Sequence, residues 1–183
     1  MLRTITKDEL KIILDNHTLW LNNKGGSKAN LRFANLSSAN LRSANLSFAN
    51  LRYADLSSAN LSFANLSSAD LSSANLSYAN LRFADLSSAN LRYADLSSAN
   101  LSFANLSSAD LSSADLDKKY VQISCIGSRK GITTYCIDDD FIWCACWTGN
   151  IKDFEKRVRE THKENKQYLK EYLGAIKYFK SLK

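Results

Sequence analysis

Proline is absent from all 183 residues, where average usage would place about nine. A proline deletes a backbone donor wherever it falls in a hydrogen-bonded ladder, so its absence suits a ladder-bonded chain. The chain also lacks any long apolar run. Met1-Leu2-Arg3-Thr4 leads into Lys7, Asp8 and Glu9, which offers the apolar stretch of neither a signal peptide nor a spanning helix. A cytoplasmic protein with no membrane partner is the expectation. The four cysteines, Cys125, Cys136, Cys144 and Cys146, crowd into one C-terminal stretch instead of forming a dispersed disulfide framework, and they read as reduced thiols. Also missing are a Gly-rich phosphate loop, a nucleophile elbow, a paired-carboxylate site and a catalytic Cys/His signature. No catalytic residue, metal or cofactor is expected, and the chain reads as something other than an enzyme.

A net charge of +6 would invite an anionic partner, but its distribution argues otherwise. Residues 1–28 carry five Lys/Arg against three Asp/Glu, residues 29–118 six against seven, and residues 119–183 thirteen against eight. The excess therefore belongs to the C-terminal third, where lysines alternate with acids as on any solvated helix.

Residues 29–118 are an unbroken five-residue repeat, from Ala29-Asn30-Leu31-Arg32-Phe33 to Ala114-Asp115-Leu116-Asp117-Lys118, eighteen in a row, with Ala and Leu invariant. On an α-helix a step of five turns about 500°, which scatters the leucines around the cylinder. On a straight strand an odd step alternates them between faces. The chain must instead turn once per repeat, bringing every Ala and Leu to one inward side and leaving the Asn/Asp and the last two residues outward. Burying each Leu contributes roughly 2 kcal/mol, which gives this Ser-rich segment a core to offset its ordering entropy.

The pattern Ala-(Asn/Asp)-Leu-x-x resembles that of the pentapeptide repeat proteins. That resemblance implies a mainly β fold: a right-handed quadrilateral β-helix, a solenoid with four repeats per coil. Eighteen repeats would make about 4.5 coils, roughly 22 Å of stack at the strand spacing of about 4.8 Å. Residues twenty apart would then stand in columns. Phe63, Phe83 and Phe103 form one file; Phe33, Tyr53 and Tyr93, interrupted by Ser73, form another on the opposite face. Arg32, Arg52 and Arg92 flank the second file, and Arg42 and Arg82 the first. Two readings stand for these residues. They form a docking surface, since Arg and aromatics concentrate binding energy, or the stacked rings simply stabilise the column.

Open solenoid edges invite aggregation, so both flanks read first as caps. In residues 1–28, Thr6-Lys7-Asp8-Glu9 is a capping box, and Leu10, Ile13, Leu14, His17 and Leu21 share a helical stripe that ends at Gly25-Gly26. His17 reads as a packed side chain, and Trp20 as packed on the first coil. Residues 119–183 read as a meander of three strands (120–126, 132–137, 141–147) and two helices (about 151–163 and 166–182). If Asp139-Asp140 is a two-residue turn, Cys136 pairs with Trp143 and points away from Cys144 and Cys146, which argues against a shared zinc site. Asp138, Asp139 and Asp140 read as a turn and not a cation loop. Leu169, Tyr172, Leu173, Ile176, Phe179 and Leu182 form a stripe long enough to pair with a second copy.

These features point to a non-catalytic scaffold with an unidentified protein partner and a homodimer contact through the last helix. Some members of the resembling family mimic DNA and bind gyrase, but mimicry needs columns of negative charge, and a solenoid with five arginines and a net charge of −1 departs from that. Nucleic-acid binding by the Arg-aromatic faces or the basic tail is the remaining alternative, and is disfavoured.

Overall fold

The computed structural model describes residues 1–126, 131–144 and 147–182. The chain divides into two compact units, Met1–Asp117 and Lys118–Lys183.

In the first unit every coil takes four repeats. Parallel bridges join residues twenty apart, from Asn30↔Asn50 through Asp95↔Asp115. The inward leucines are buried apart from the half-buried Leu101 and Leu116, and Leu51, Leu71 and Leu91 are 0 % exposed. One repeat, Ala59 to Phe63, shows why the pattern has five positions. The Ala59 N–H donates to the Leu56 carbonyl at 3.0 Å and closes the corner between repeats. Asn60 donates up to Ala39 at 2.9 Å, while Leu61 and Phe63 donate down to Asn80 and Arg82 at 2.8 and 3.0 Å. The remaining N–H, that of Ser62, is turned into the corner and donates to Asn60 Oδ1 at 3.1 Å. All five backbone donors are thus satisfied. The Asn/Asp position is not merely outward: it supplies the one acceptor that the ladder cannot. A proline anywhere in the repeat would remove a bonded donor.

Each corner has a 4→1 hydrogen bond with its third residue at positive φ, the arrangement of a type II turn. The third residue is Phe, Tyr or Ser in seventeen consecutive repeats, from Phe33 (φ 58°) to Ser113 (φ 58°). This left-handed conformation costs roughly 1–2 kcal/mol per residue, and it persists because core and ladder determine it from both sides.

The N-terminal 28 residues are part of this unit. β1 (Arg3–Thr4) adds in parallel to β2 (Ala34–Asn35), with the Arg3 N–H donating to the Phe33 carbonyl at 2.6 Å. α1 (Lys7–Leu21) begins at the capping box: Glu9 N–H donates to Thr6 Oγ1 at 3.2 Å, and Thr6 N–H to Glu9 Oε2 at 2.8 Å. His17 is fully buried and its Nδ1 accepts from the Ala29 N–H at 3.1 Å. It stacks on Trp20 at 5.6 Å, which meets Phe48 edge-on at 6.3 Å.

Burial pushes the His17 pKa down, helped by Lys28, while the Ser47 carbonyl pulls the other way without closing a hydrogen bond to Nε2. The folded chain holds this imidazole neutral. As pH falls below the ordinary histidine value of about 6.5, the unfolded chain takes up the proton first and unfolding is favoured. The stability of the first unit is expected to fall as pH drops below that value, down to the lowered folded pKa. In His17→Asn, whose Oδ1 can still accept from Ala29, this part of the pH dependence should disappear from urea-denaturation midpoints measured between pH 7.5 and 5. An unchanged slope would show that His17 is not its source.

The second unit is an antiparallel sheet in the order β3 (Tyr120–Ile126), β4 (Gly131–Cys136), β5 (Phe141–Cys144), β6 (Trp147–Gly149). α2 (Ile151–Thr161) and α3 (Lys166–Lys180) follow. The expected strand over 141–147 is therefore two strands, with Cys144 paired to Trp147. Its residues 145–146 lie outside the described residues, as does the loop 127–130. The β4–β5 register also differs from expectation: Cys136 pairs with Phe141 and Thr134 with Trp143. The connection is four residues long, Ile137 to Asp140, because the aspartates are held by other groups. Asp138 accepts from the Lys119 N–H at 2.7 Å, Asp139 pairs with Lys118 at 2.7 Å, and Asp140, at φ 51°, accepts from the Tyr135 hydroxyl at 3.0 Å.

A shift of two residues preserves side-chain facing, so Cys136 and Cys144 still lie on opposite faces. Tyr135, Ile142 and Cys144 pack with Ile151, Phe154, Val158, Ile176 and Phe179 of the helices to form the core. Phe179 meets the Tyr135 ring at 4.9 Å, and Trp147 meets Phe154 at 5.0 Å.

Candidate interaction surface

Counting repeats by fours assigns each outward residue to one of four solenoid faces, beginning at Ala29, Ala34, Ala39 and Ala44. The third face carries the phenylalanine file. Phe63 and Phe83 stack at 5.0 Å, Phe83 and Phe103 at 4.9 Å, with interplanar angles of 22° and 12°. The Arg42 guanidinium lies 4.4 Å from the Phe63 ring centre and donates to Ser62 Oγ at 2.9 Å; Arg82 lies 4.4 Å from the Phe83 ring centre. On the opposite, first face, Phe33 and Tyr53 stack at 4.9 Å with Arg32 at 4.6 Å from the Phe33 ring centre, and Arg52 and Arg92 lie beside Tyr53 and Tyr93. The expected residues thus gather on two opposed faces as two separate groups.

Charge separates the two. On the first face Arg52 lies 3.8 Å from Asp70, and Arg92 3.7 Å from Asp110. The third face has Asn40, Asn60, Asn80 and Asn100 in the corresponding column and no carboxylate at all. The second face holds Asp55, Asp95, Asp115 and Asp117, and the fourth Asp85. A solenoid that is nearly neutral as a whole is polarised by face, which its net charge conceals.

The apolar stripe of α3 is placed otherwise than expected. Tyr172, Ile176 and Phe179 are buried in the core of the second unit, and Leu169, Leu173 and Leu182 pack against it. The stripe satisfies its own module and is not free for a second copy, because the sheet and α2 already cover it. Cys136 and Cys144 are buried free thiols: Cys144 Sγ accepts from the Thr133 hydroxyl at 3.1 Å, and burial pushes the Cys136 thiol pKa up. Cys146 lies outside the described residues. Among the described residues no three His, Cys, Asp or Glu side chains converge on a common point for a metal ion, and no helix is long and apolar enough to cross a membrane.

The family model for pentapeptide repeats matches in overlapping segments, 27–62, 54–92, 64–102 and 84–118, which together span half of the chain. The chain belongs to the pentapeptide repeat family. Among solved structures it is similar to HetL, a pentapeptide repeat protein involved in heterocyst differentiation regulation from the cyanobacterium Nostoc sp. strain PCC 7120. The two are 40% identical over 49% of this chain and 48% of HetL, with a TM-score of 0.33. It is similar to a pentapeptide repeat protein of the Arabidopsis thaliana thylakoid lumen (28% identity, 48% of this chain and 68% of that one, TM-score 0.31). It is also similar to QnrB1, a plasmid-mediated fluoroquinolone resistance protein (22% identity, 52% and 53%, TM-score 0.43). The chain spans about half the length of HetL. No curated protein matches it in sequence.

Proposed function

We propose that this pentapeptide repeat protein is a non-catalytic scaffold that docks a protein partner on the Arg-aromatic faces of a right-handed solenoid. The observation that carries the reading is the register of those faces. Arginine and aromatic side chains recur at multiples of twenty residues on a backbone held by ladder bonds from coil to coil, so little ordering entropy remains to be lost on binding. Arg and large aromatics are also the side chains in which interface energy concentrates. DNA mimicry is poorly served: Asn35 and Asn75 interrupt the column of Asp55, Asp95 and Asp115, and the first-face carboxylates Asp70 and Asp110 are paired with arginine.

Serine already occupies the fourth and fifth positions of many repeats, so the repeat supplies its own fold-compatible substitutions. Affinity capture from native cells should recover a discrete partner with the full chain. Capture should be lost when Arg32, Phe33, Arg52, Tyr53, Arg92 and Tyr93 of the first face and Arg42, Phe63, Arg82, Phe83 and Phe103 of the third are all replaced by Ser. Undiminished capture by that variant, with its circular dichroism spectrum unchanged, would sink the reading. Capture by residues 1–117 alone would place the binding in the solenoid.

A further inference from the structure

We infer that the third face is a selective docking strip for an acidic, carboxylate-rich protein segment. The inference rests on the scaffold reading above and narrows it to one face and one partner chemistry. Three independent features of that face present positive charge or hydrogen-bond donors outward.

The first is uncompensated cation. Arg42 and Arg82 stand two coils apart, roughly 10 Å at the strand spacing, in a column set that contains no Asp or Glu. Arg52 and Arg92 of the opposite face are each within 4 Å of an aspartate.

The second is the asparagine column. In Asn40, Asn60, Asn80 and Asn100 the Oδ1 is committed to the backbone N–H two residues on, at 3.0–3.2 Å, so the amide nitrogen is what the column can offer a ligand. On other faces such nitrogens find a carboxylate in the neighbouring coil: Asn90 Nδ2 donates to Asp70 Oδ1 at 3.3 Å and Asn105 Nδ2 to Asp85 Oδ1 at 3.0 Å. The third face has no carboxylate to answer them, and Asn40, Asn80 and Asn100 are exposed.

The third is the orientation of the rings. Phe83 is stacked between Phe63 and Phe103, and the Arg42 guanidinium lies over Phe63, so the faces of these two rings are occupied and their edges presented, while Phe103 at the end of the file is 72 % exposed. The edge is the electropositive part of an aromatic quadrupole. This separates a carboxylate partner from a single-stranded nucleic acid, whose bases need open ring faces on which to stack.

The test is fluorescence anisotropy of the full chain with labelled decaglutamate, and with a labelled ten-nucleotide oligothymidylate, at low and physiological salt. Decaglutamate should bind, and Arg42→Ser/Arg82→Ser should weaken binding at least tenfold. Arg52→Ser/Arg92→Ser, which removes the same net charge, should change it less than twofold. Asn60→Asp/Asn80→Asp, which introduces the residue that other columns already tolerate, should also weaken binding at least tenfold. Equal losses in the two arginine variants, no loss in the Asp variant, or no decaglutamate binding would overturn the inference. Tighter binding of oligothymidylate with the same sensitivity to the third-face variants would overturn the partner class. Cellular capture that survives these third-face substitutions but fails when both faces become Ser would leave the scaffold reading standing without this refinement.

Discussion

Leu71→Ala is expected to lower the stability of the solenoid by about 3 kcal/mol, within the range for a leucine truncated in a core that cannot collapse around the cavity. Leu71 is 0 % exposed and stands in the column between Leu51 and Leu91, each also 0 % exposed. The coil above and the coil below are fixed by ladder bonds on both sides: the Leu71 N–H donates to the Asn90 carbonyl at 2.8 Å, and the Leu51 N–H to Asp70 at 2.7 Å. Backbone held this way cannot move inward to fill the space. Leu116, in the final repeat and only half-buried, should lose less than about 1 kcal/mol when truncated, because solvent already reaches it. Phe103→Ser, at a ring 72 % exposed, should stay within about 0.5 kcal/mol. Urea denaturation followed by circular dichroism orders the three. In a stack of near-identical units a lesion in the middle also interrupts coupling between neighbours, so Leu71→Ala should broaden the transition as well as shift it. Equal effects at Leu71 and Phe103 would contradict the inward placement of leucine.

The solenoid was legible in the sequence because the physics acts within one repeat. A five-residue period with two fixed apolar positions is incompatible with a helix or a straight strand, and only a turn per repeat rescues it. The coil length was not readable from composition or period; it came from the family resemblance, and the 20-residue bridges bear it out. The structural role of Asn/Asp was missed although its signal was present. These are the residues whose side chains close a turn on the N–H two positions on, and the fourth-position N–H had no other acceptor in any parallel ladder. The polarity of the faces was hidden by summing charge along the chain, when the register distributes it around the coil.

In the second unit the structure departs from the sequence expectation where partners come from outside the strand itself. The sequence suggests a two-residue turn at Asp139-Asp140, yet Lys118, the Lys119 N–H and the Tyr135 hydroxyl hold Asp138, Asp139 and Asp140 in a longer connection. The stripe of α3 is apolar in the sequence, but amphipathicity says only that a face is covered. Here the sheet of the same module covers it.

Gly26→Ala is expected to detach α1 from the first coil. An added Cβ would lie 2.2 Å from the Asn16 carbonyl oxygen and 2.8 Å from Leu19 Cβ, at a residue whose φ is +76°. The oxygen is backbone, fixed by the helix and bonded to the Ser27 N–H at 3.3 Å, so it cannot yield as a flexible side chain would. Gly25 supplies the control. Its φ is +85° but nothing lies within 4 Å of its Cβ position, so Gly25→Ala carries only the backbone cost, roughly 1–2 kcal/mol. Gly26→Ala adds a clash that must be relieved by moving α1, and its cost should be several kcal/mol, on the scale of the most damaging point substitutions. Moving α1 breaks the His17–Ala29 hydrogen bond and lifts Trp20 from Phe48. It also strains β1, which pairs with the first coil at Arg3↔Ala34 and Thr4↔Asn35. A sheet edge exposed in this way templates pairing with other chains. Hydrogen exchange over residues 7–21 should therefore rise at least tenfold in Gly26→Ala and little in Gly25→Ala, and light scattering should show concentration-dependent association of Gly26→Ala alone. Unchanged exchange with a monomeric profile would mean that the solenoid does not depend on this segment for its end.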